Sequence, residues 1–348
     1  MKKLKFSHRL IYGYIQLLYK IFNRPFVDKY FAKTRRYHFK IMYAHLQTLG
    51  VGKITPIKRV KNISIKELKK KYISKGIPVV IEGGAKDWKC VKNWSLEYFK
   101  KLHGDDNVTI VGFDNNLSEK AYEITTLKEI INNIQNKGSK YFRFYPLLEE
   151  HPEHIKDFDY KFLKSCKNSW NPWEQFQVFI GGKETHTQFH NSMASNIFVQ
   201  AFGQKKWIMY HSYYTSVIDP DAGKNFHRGA PYKTKEGSFT AFKPNYEKPY
   251  SAFKYIDGIS VDLSPGDILF NPPHFWHEVV NTEDSIGIGY RWLSTRAGLR
   301  VSPWYTLLDL ITIPFSREAQ KFFKQDFKTT FLKEIGEYDD YVKEVENV

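Results

Sequence analysis

Thr185-His-Thr-Gln-Phe-His-Asn-Ser192, which leads into Asn196-Ile-Phe-Val-Gln-Ala-Phe-Gly-Gln-Lys-Lys-Trp207, and Ser264-Pro-Gly-Asp-Ile-Leu-Phe-Asn-Pro-Pro-His-Phe-Trp-His277 together decide the fold. The first reads as strand, turn and strand, with histidines at 186 and 190. On a helix that spacing puts both on one face, but the Thr and Phe content favours a strand. Positions four apart on a strand also share a face, so His186 and His190 are expected side by side. The second stretch is a Pro-Gly-Asp turn, a short apolar strand, a Pro-Pro break and a histidine behind Phe275 and Trp276. An imidazole among aromatic rings is costly unless it is hydrogen-bonded or coordinated. One such histidine is most simply a satisfied core residue, whereas two on adjacent strands point towards a metal.

The surrounding chain supports a β-rich domain. Aromatic residues make up 17% of the sequence, and they suit pleated, half-buried surfaces. Strands are expected at Gln175–Ile180, Ser195–Phe202, Lys206–Tyr210, Ile268–Asn271, His277–Asn281 and Gly287–Leu293. Further strands are expected in Ile77–Gly84, an apolar run with a glycine stop, and at Val108–Phe113 and Tyr141–Tyr145, with short helices at Ser64–Tyr72 and Leu96–His103. Many short strands punctuated by Gly and Pro imply a sandwich or barrel. Asp219–Tyr250 is a long polar insertion of the kind that is usually functional or disordered. From Pro303 the pattern turns helical, with Phe322, Phe323, Phe327 and Phe331 among Lys and Glu.

The first 70 residues hold eighteen Lys and Arg against Asp28 and Glu67, a balance equal to the whole chain's +16. That basic arm suggests an anionic partner. Leu10, Ile11, Tyr14, Leu17, Leu18, Ile21 and Phe22 recur at helical spacing; Pro25 should end this helix, and a second runs from about Asp28 to Leu49. The apolar stretch is about half the ~20 residues a bilayer span needs, and no small-residue cleavage site follows it. The arm is therefore expected to pack on the main domain or to lie on a membrane surface, in a cytoplasmic protein. Only Cys90 and Cys166 are present, with no CxxC pair, which argues against a structural zinc site and a disulfide framework.

Thr187-x-x-His190, Asn196, Gly203-x-Lys205-x-Trp207, Gly266-Asp267 and Trp276-His277, with the opening Pro78–Trp88, resemble the cupin-like JmjC oxygenases. That family includes the asparaginyl hydroxylase that inhibits hypoxia-inducible factor. The resemblance covers roughly residues 55–295. It implies a mainly β fold: a double-stranded β-helix (cupin, jelly-roll) core with N- and C-terminal helices. It also implies Fe(II) and 2-oxoglutarate. By the same resemblance His190 and His277 are iron ligands and catalytic residues. Lys205 pairs with the distal carboxylate of 2-oxoglutarate, Thr187 hydrogen-bonds to it, and Asn196 lies near the cosubstrate. Tyr141 or Tyr145 adds a further hydroxyl.

The sequence departs from the family at Ser192, which stands where the family has an acidic iron ligand. Three readings are open: water or an anion fills the position, as in related halogenases; His186 swings in to make a three-histidine dioxygenase without 2-oxoglutarate; or the chain is a non-catalytic binding protein. The leading expectation is an Fe(II)/2-oxoglutarate-dependent dioxygenase, a hydroxylase of a peptide, protein or membrane-associated, lipid-linked substrate. Residues 1–54 are expected as the basic helical arm, 55–302 as the cupin/JmjC-like domain and 303–348 as a helical tail. Peripheral membrane contact through residues 1–50 and a homodimer through the tail are further expectations, with nucleic acid a weaker one. Arg291, between Tyr290 and Trp292, is either a ligand anchor or a surface residue. The His151–His154 run has metal-like content in charged surroundings.

Overall fold

The computed structural model describes residues 4–312 apart from 23, 114–118, 139, 146, 172, 221–227, 230–232, 235–236, 245 and 247–250. Eight strands build the centre: β1 (Glu174–Gly181), β2 (His186–Asn191), β3 (Ser195–Phe202), β4 (Lys205–Tyr210), β5 (Gly258–Leu263), β6 (Ile268–Asn271), β7 (Trp276–Asn281) and β8 (Ser285–Trp292). They are shared between two sheets. One has the order β5-β4-β7-β2 and the other β6-β3-β8-β1. Consecutive strands change sheet at nearly every step, which is the winding of a double-stranded β-helix. The sheets extend at their edges without closing a barrel. The first adds Ile54–Pro56 beside β5 and Arg228–Gly229 beside β2; the second adds Val79–Ile81, Arg59–Val60 and Tyr141–Tyr145.

Alternation of side chains divides the molecule into layers. Between the sheets lie Phe179, Phe198, Trp207, Met209, Leu269 and Val279. Outside the second sheet, Val178, Ile180, Ile197, Val199 and Ile288 pack against a cover drawn from residues 65–166, including Leu68, Phe99, Ile130 and Leu163. That cover begins with a helix, Ile65–Lys71, whose first turn is capped by Ser64 Oγ accepting from Glu67 N at 3.3 Å. Outside the first sheet, Phe189, Ile208, Tyr210 and Trp276 pack against Met42, Leu46 and Phe253.

The N-terminal arm belongs to this last layer. Its helices are α1 (Phe6–Ile21) and α2 (Arg24–Leu49). Pro25 opens α2 rather than ending α1, because a proline is tolerated in a first turn where its missing N–H would be unpaired anyway. Tyr12 donates to Asp219 at 3.2 Å, and Arg35 pairs with the same carboxylate. One face of α1 remains outside the packing, with Phe6 73% and Ile21 63% exposed. No described helix is long and apolar enough to cross a membrane. The region after Pro303 opens with a helix, Pro303–Thr312; Phe322, Phe323, Phe327 and Phe331 lie outside the described residues, as does much of the 219–250 insertion.

Gly203 turns the chain from β3 in one sheet to β4 in the other. Its φ is +63°, and a Cβ there would sit 1.9 Å from the carbonyl oxygen of Asp284. Both the left-handed backbone and the contact exclude a side chain. Gly203→Ala is expected to lower stability by about 1–3 kcal/mol or more. Urea unfolding checks this, and an unchanged midpoint would show that the corner relaxes freely.

Candidate metal centre

Strands β2 and β7 pair antiparallel, and His190 stands directly opposite His277. Their ring centroids are 4.3 Å apart. His190 Nδ1 lies 2.7 Å from the Gln188 carbonyl oxygen, and His277 Nδ1 lies 2.9 Å from that of Phe275. A carbonyl can only accept, so each neutral ring carries its proton on Nδ1 and its lone pair on Nε2. Ligating histidines are held in this way, with the second nitrogen donating to a fixed acceptor. Trp207 stacks on His277 at 5.3 Å and 20°.

A bulge decides which other β2 side chains join this face. After His190↔His277 the pairing slips, so that Thr187 meets Val279 and His186 meets Val280. Thr187 therefore turns inward and His186 outward, which corrects the expectation that His186 and His190 share a face. His186 is half-exposed, with Nδ1 3.8 Å from Glu278 Oε1 on the outer side. Glu278 is buried and accepts from Thr240 Oγ1 at 2.7 Å and Ala241 N at 2.5 Å. A second bulge, between Phe142 and Tyr145, separates the two candidate tyrosines. Tyr141 faces inward and its hydroxyl lies 3.2 Å from Thr187 Oγ1, whereas Tyr145 packs on the outer face of the sheet.

Lys205, at the start of β4, is not a solvated hairpin lysine: it is 1% exposed. Its Nζ donates to Asn281 Oδ1 at 2.5 Å. Asn281 is oriented for this by its own amide, which donates to Thr185 Oγ1 at 2.7 Å and Gly182 O at 3.3 Å. The ammonium also lies 5.5 Å from the Tyr141 ring centroid. Burial lowers the pKa of Lys205 to about 7, with no carboxylate offsetting it. Room for the side chain comes from Gly287, where a Cβ would stand 3.1 Å from Lys205 Cε. A buried ammonium with neutral partners suits an anionic ligand, which would restore the missing counter-charge.

Ser192 follows β2 directly. Its Oγ accepts from Ala194 N at 3.4 Å, and its carbonyl accepts from His274 N at 2.6 Å. Asn196 is buried on β3, level with Asn271 and Arg291 on the neighbouring strands, and Arg291 is level with Gln175. These four side chains form a buried polar row on the interior face of the second sheet. Asn196 Oδ1 and Asn271 Oδ1, with the adjacent Gln177 Oε1, have no hydrogen-bond partner among the described residues. Such buried oxygens normally find a water or a ligand. Arg291 is thus an interior residue at 8% exposure. Sequence reasoning singled out Asn196 and Arg291 but not Asn281, Gln175, Gln177 or Asn271; inward polar positions on otherwise apolar strands were the available signal.

Among the described residues, the group of three His, Cys, Asp or Glu side chains that converge closely enough for an ion is elsewhere: His103, Asp106 and His151. It lies outside the second sheet. The charged, loop-like surroundings expected for His151–His154 are in fact a packed one, with His154 only 6% exposed.

The fold is a double-stranded β-helix whose paired strands oppose two histidines, with a lysine buried on the neighbouring strand. Residues 65–298 match the family described as Cupin-like domain, and the chain belongs to that family. It is 30% identical over 258 residues to JmjC domain-containing protein D of Dictyostelium discoideum, covering 67% of this chain and 55% of that protein. It is 25% identical over 248 residues to Lysine-specific demethylase 8 of Xenopus tropicalis (68% and 53% covered). It is also 25% identical over 241 residues to 2-oxoglutarate and iron-dependent oxygenase JMJD4 of Danio rerio (60% and 53% covered). The chain thus spans little more than half the length of these relatives.

The residues present fit a divalent ion through two imidazoles, and they fit a dicarboxylate through Lys205. They supply no carboxylate at Ser192. Because the Lys205 pKa is lowered in the fold, native Lys205 has lost its proton between pH ~7 and ~10.5 while the unfolded chain still binds it. Stability from this group therefore rises with pH across that window and is flat below it. Lys205→Met should abolish that rise. Denaturation midpoints measured from pH 6 to 10 check it, and parallel profiles for the two proteins would contradict the assignment.

Proposed function

We propose that this chain is an Fe(II)- and 2-oxoglutarate-dependent oxygenase that hydroxylates a peptide or protein side chain. The observation that carries the reading is the cross-strand pair His190 and His277, with both lone pairs on Nε2 and Lys205 buried behind them. The relatives' names, an iron- and 2-oxoglutarate-dependent oxygenase and a lysine-specific demethylase, support the same class and a protein substrate.

In this reading His190 and His277 hold the iron, and a water or small anion completes the position left by Ser192. Iron together with the keto acid would supply the oxygen chemistry. Lys205 holds the distal carboxylate in its protonated state, and Tyr141 and Thr187 donate hydroxyl hydrogen bonds to it. Trp207 and Phe198, which pack edge to face at 5.0 Å, exclude water from the back of the site. The amide row Asn196, Asn271 and Gln177 offers acceptors and donors to a polar group at the front. The outward position of His186 weighs against a three-histidine site, which would need β2 to change register.

With Fe(II) and 2-oxoglutarate under anaerobic conditions, the protein is expected to develop a weak visible charge-transfer band that saturates with the keto acid. His190→Ala should remove the band by removing iron. Lys205→Ala should weaken keto-acid affinity at least tenfold, because a charge-assisted contact is lost, while still taking up iron when the keto acid is saturating. Iron binding with no band at any keto-acid concentration would overturn the oxygenase reading, leaving a binding protein on this scaffold.

A further inference from the structure

The cover outside the second sheet contains a second set of metal-ligating side chains that the oxygenase reading does not use. His103 ends the helix Leu96–His103, Asp106 follows in the next turn, and His151 opens a 3-10 helix at Pro152–Asp157. One ligand atom from each lies within 4.8 Å of the others. The imidazoles of His103 and His151 stack at 3.7 Å.

We propose that His103, Asp106 and His151 bind a divalent transition-metal ion of the zinc class, which ties together the segments of this cover.

Two observations support it. First, the donor set is right: two imidazoles and one carboxylate suit Zn(II), with a water as fourth ligand. Second, the outer contacts orient the donors. Asp157 Oδ2 lies 2.8 Å from His154 Nδ1, and His154 Nε2 lies 2.7 Å from His103 Nε2. A carboxylate only accepts, so His154 Nδ1 donates to it, which leaves His154 Nε2 to accept from His103 Nε2. The His103 lone pair is then on Nδ1. Tyr145 donates to Asp106 at 2.5 Å. Carboxylate–histidine relays and hydrogen-bonded carboxylates of this kind surround metal ligands.

The site lies on the far side of the second sheet from His190 and His277, so the two centres are separable.

The experiment uses the full chain carrying His190→Ala and His277→Ala, stripped with a chelator and titrated with Zn(II), with elemental analysis after desalting. One zinc per chain is expected, with a rise in thermal midpoint that chelator reverses. His151→Gln, at the more exposed edge of the cluster, and Asp106→Asn should each weaken zinc binding ten- to hundredfold. Circular dichroism of the metal-free variants confirms that they are folded. Co(II) in place of zinc should give visible bands that His151→Gln alters. No zinc retained in the double variant, or undiminished affinity in both cluster variants, would overturn the proposal and leave the cluster as a hydrogen-bonded network. Neither result bears on the oxygenase reading.

Discussion

Two imidazoles can present lone pairs to one point only if their strands are in register to within a residue, since a one-residue slip turns a side chain to the opposite face. The pairing of β2 with β7 meets that demand, and much of the surrounding structure secures it. Before β7, Pro272 and Pro273 lead into His274, whose φ is +61°. A non-glycine residue in the left-handed region costs free energy unless its surroundings hold it there. Here His274 N donates to Ser192 O, and its Nε2 lies 3.0 Å from Thr306 Oγ1. The turn that launches His277 is thus bound to the residue just past β2, and both are tied to the C-terminal helix. The β2 bulge then trades His186 for Thr187 on the interior face.

The second constraint is electrostatic. Burying an ammonium is among the least favourable acts in a fold unless its charge is offset. Lys205 has a carbonyl oxygen and an aromatic face, and its lowered pKa expresses the unmet part. Glycines at 181 and 287 let the Tyr141 ring and the Lys205 side chain pack directly against the strands: a Cβ at 181 would stand 2.4 Å from the Tyr141 ring. Retaining a charged group among hydroxyls and an amide is the pattern of a ligand site.

Much of this was legible in the sequence. Strands Ser195–Phe202, Ile268–Asn271 and Tyr141–Tyr145 fall where β-branched and aromatic residues alternate between turn residues, and the structure places them at those bounds. His190 and His277 were singled out by the family resemblance, with their aromatic strand context pointing the same way. The bulges were not legible, because alternation carries no mark of an inserted residue; they decide the fates of His186 and Tyr145. Strand β5, Gly258–Leu263, was missed because its alternating Ser and Asp look like the end of the polar insertion. Of the His103 cluster only His151 was flagged, because its partners lie 45 and 48 residues earlier in the sequence. Only tertiary packing brings Asp106 to His151, 2.7 Å from Nε2.

If His190 and His277 hold the ion as proposed, Ser192 brings no charge to the position beside them, and the charge balance of the interior sets the consequence. An acidic residue there would lend one negative charge to the centre, permanently. With serine, two imidazoles would face the dication under the proposed function, and the buried Lys205 amine stands nearby. The chain's own groups then leave the centre more positive by one unit than an acidic ligand would. Under the proposed function the deficit is met by ligands that arrive with charge: a dicarboxylate supplies two, one of them to Lys205, and a small anion at the Ser192 position supplies another. Retention of the ion and retention of the keto acid are thereby linked, since each offsets the desolvation cost of the other. A centre of this kind holds its ion weakly until the dianion is present, whereas a carboxylate-bearing centre holds it beforehand.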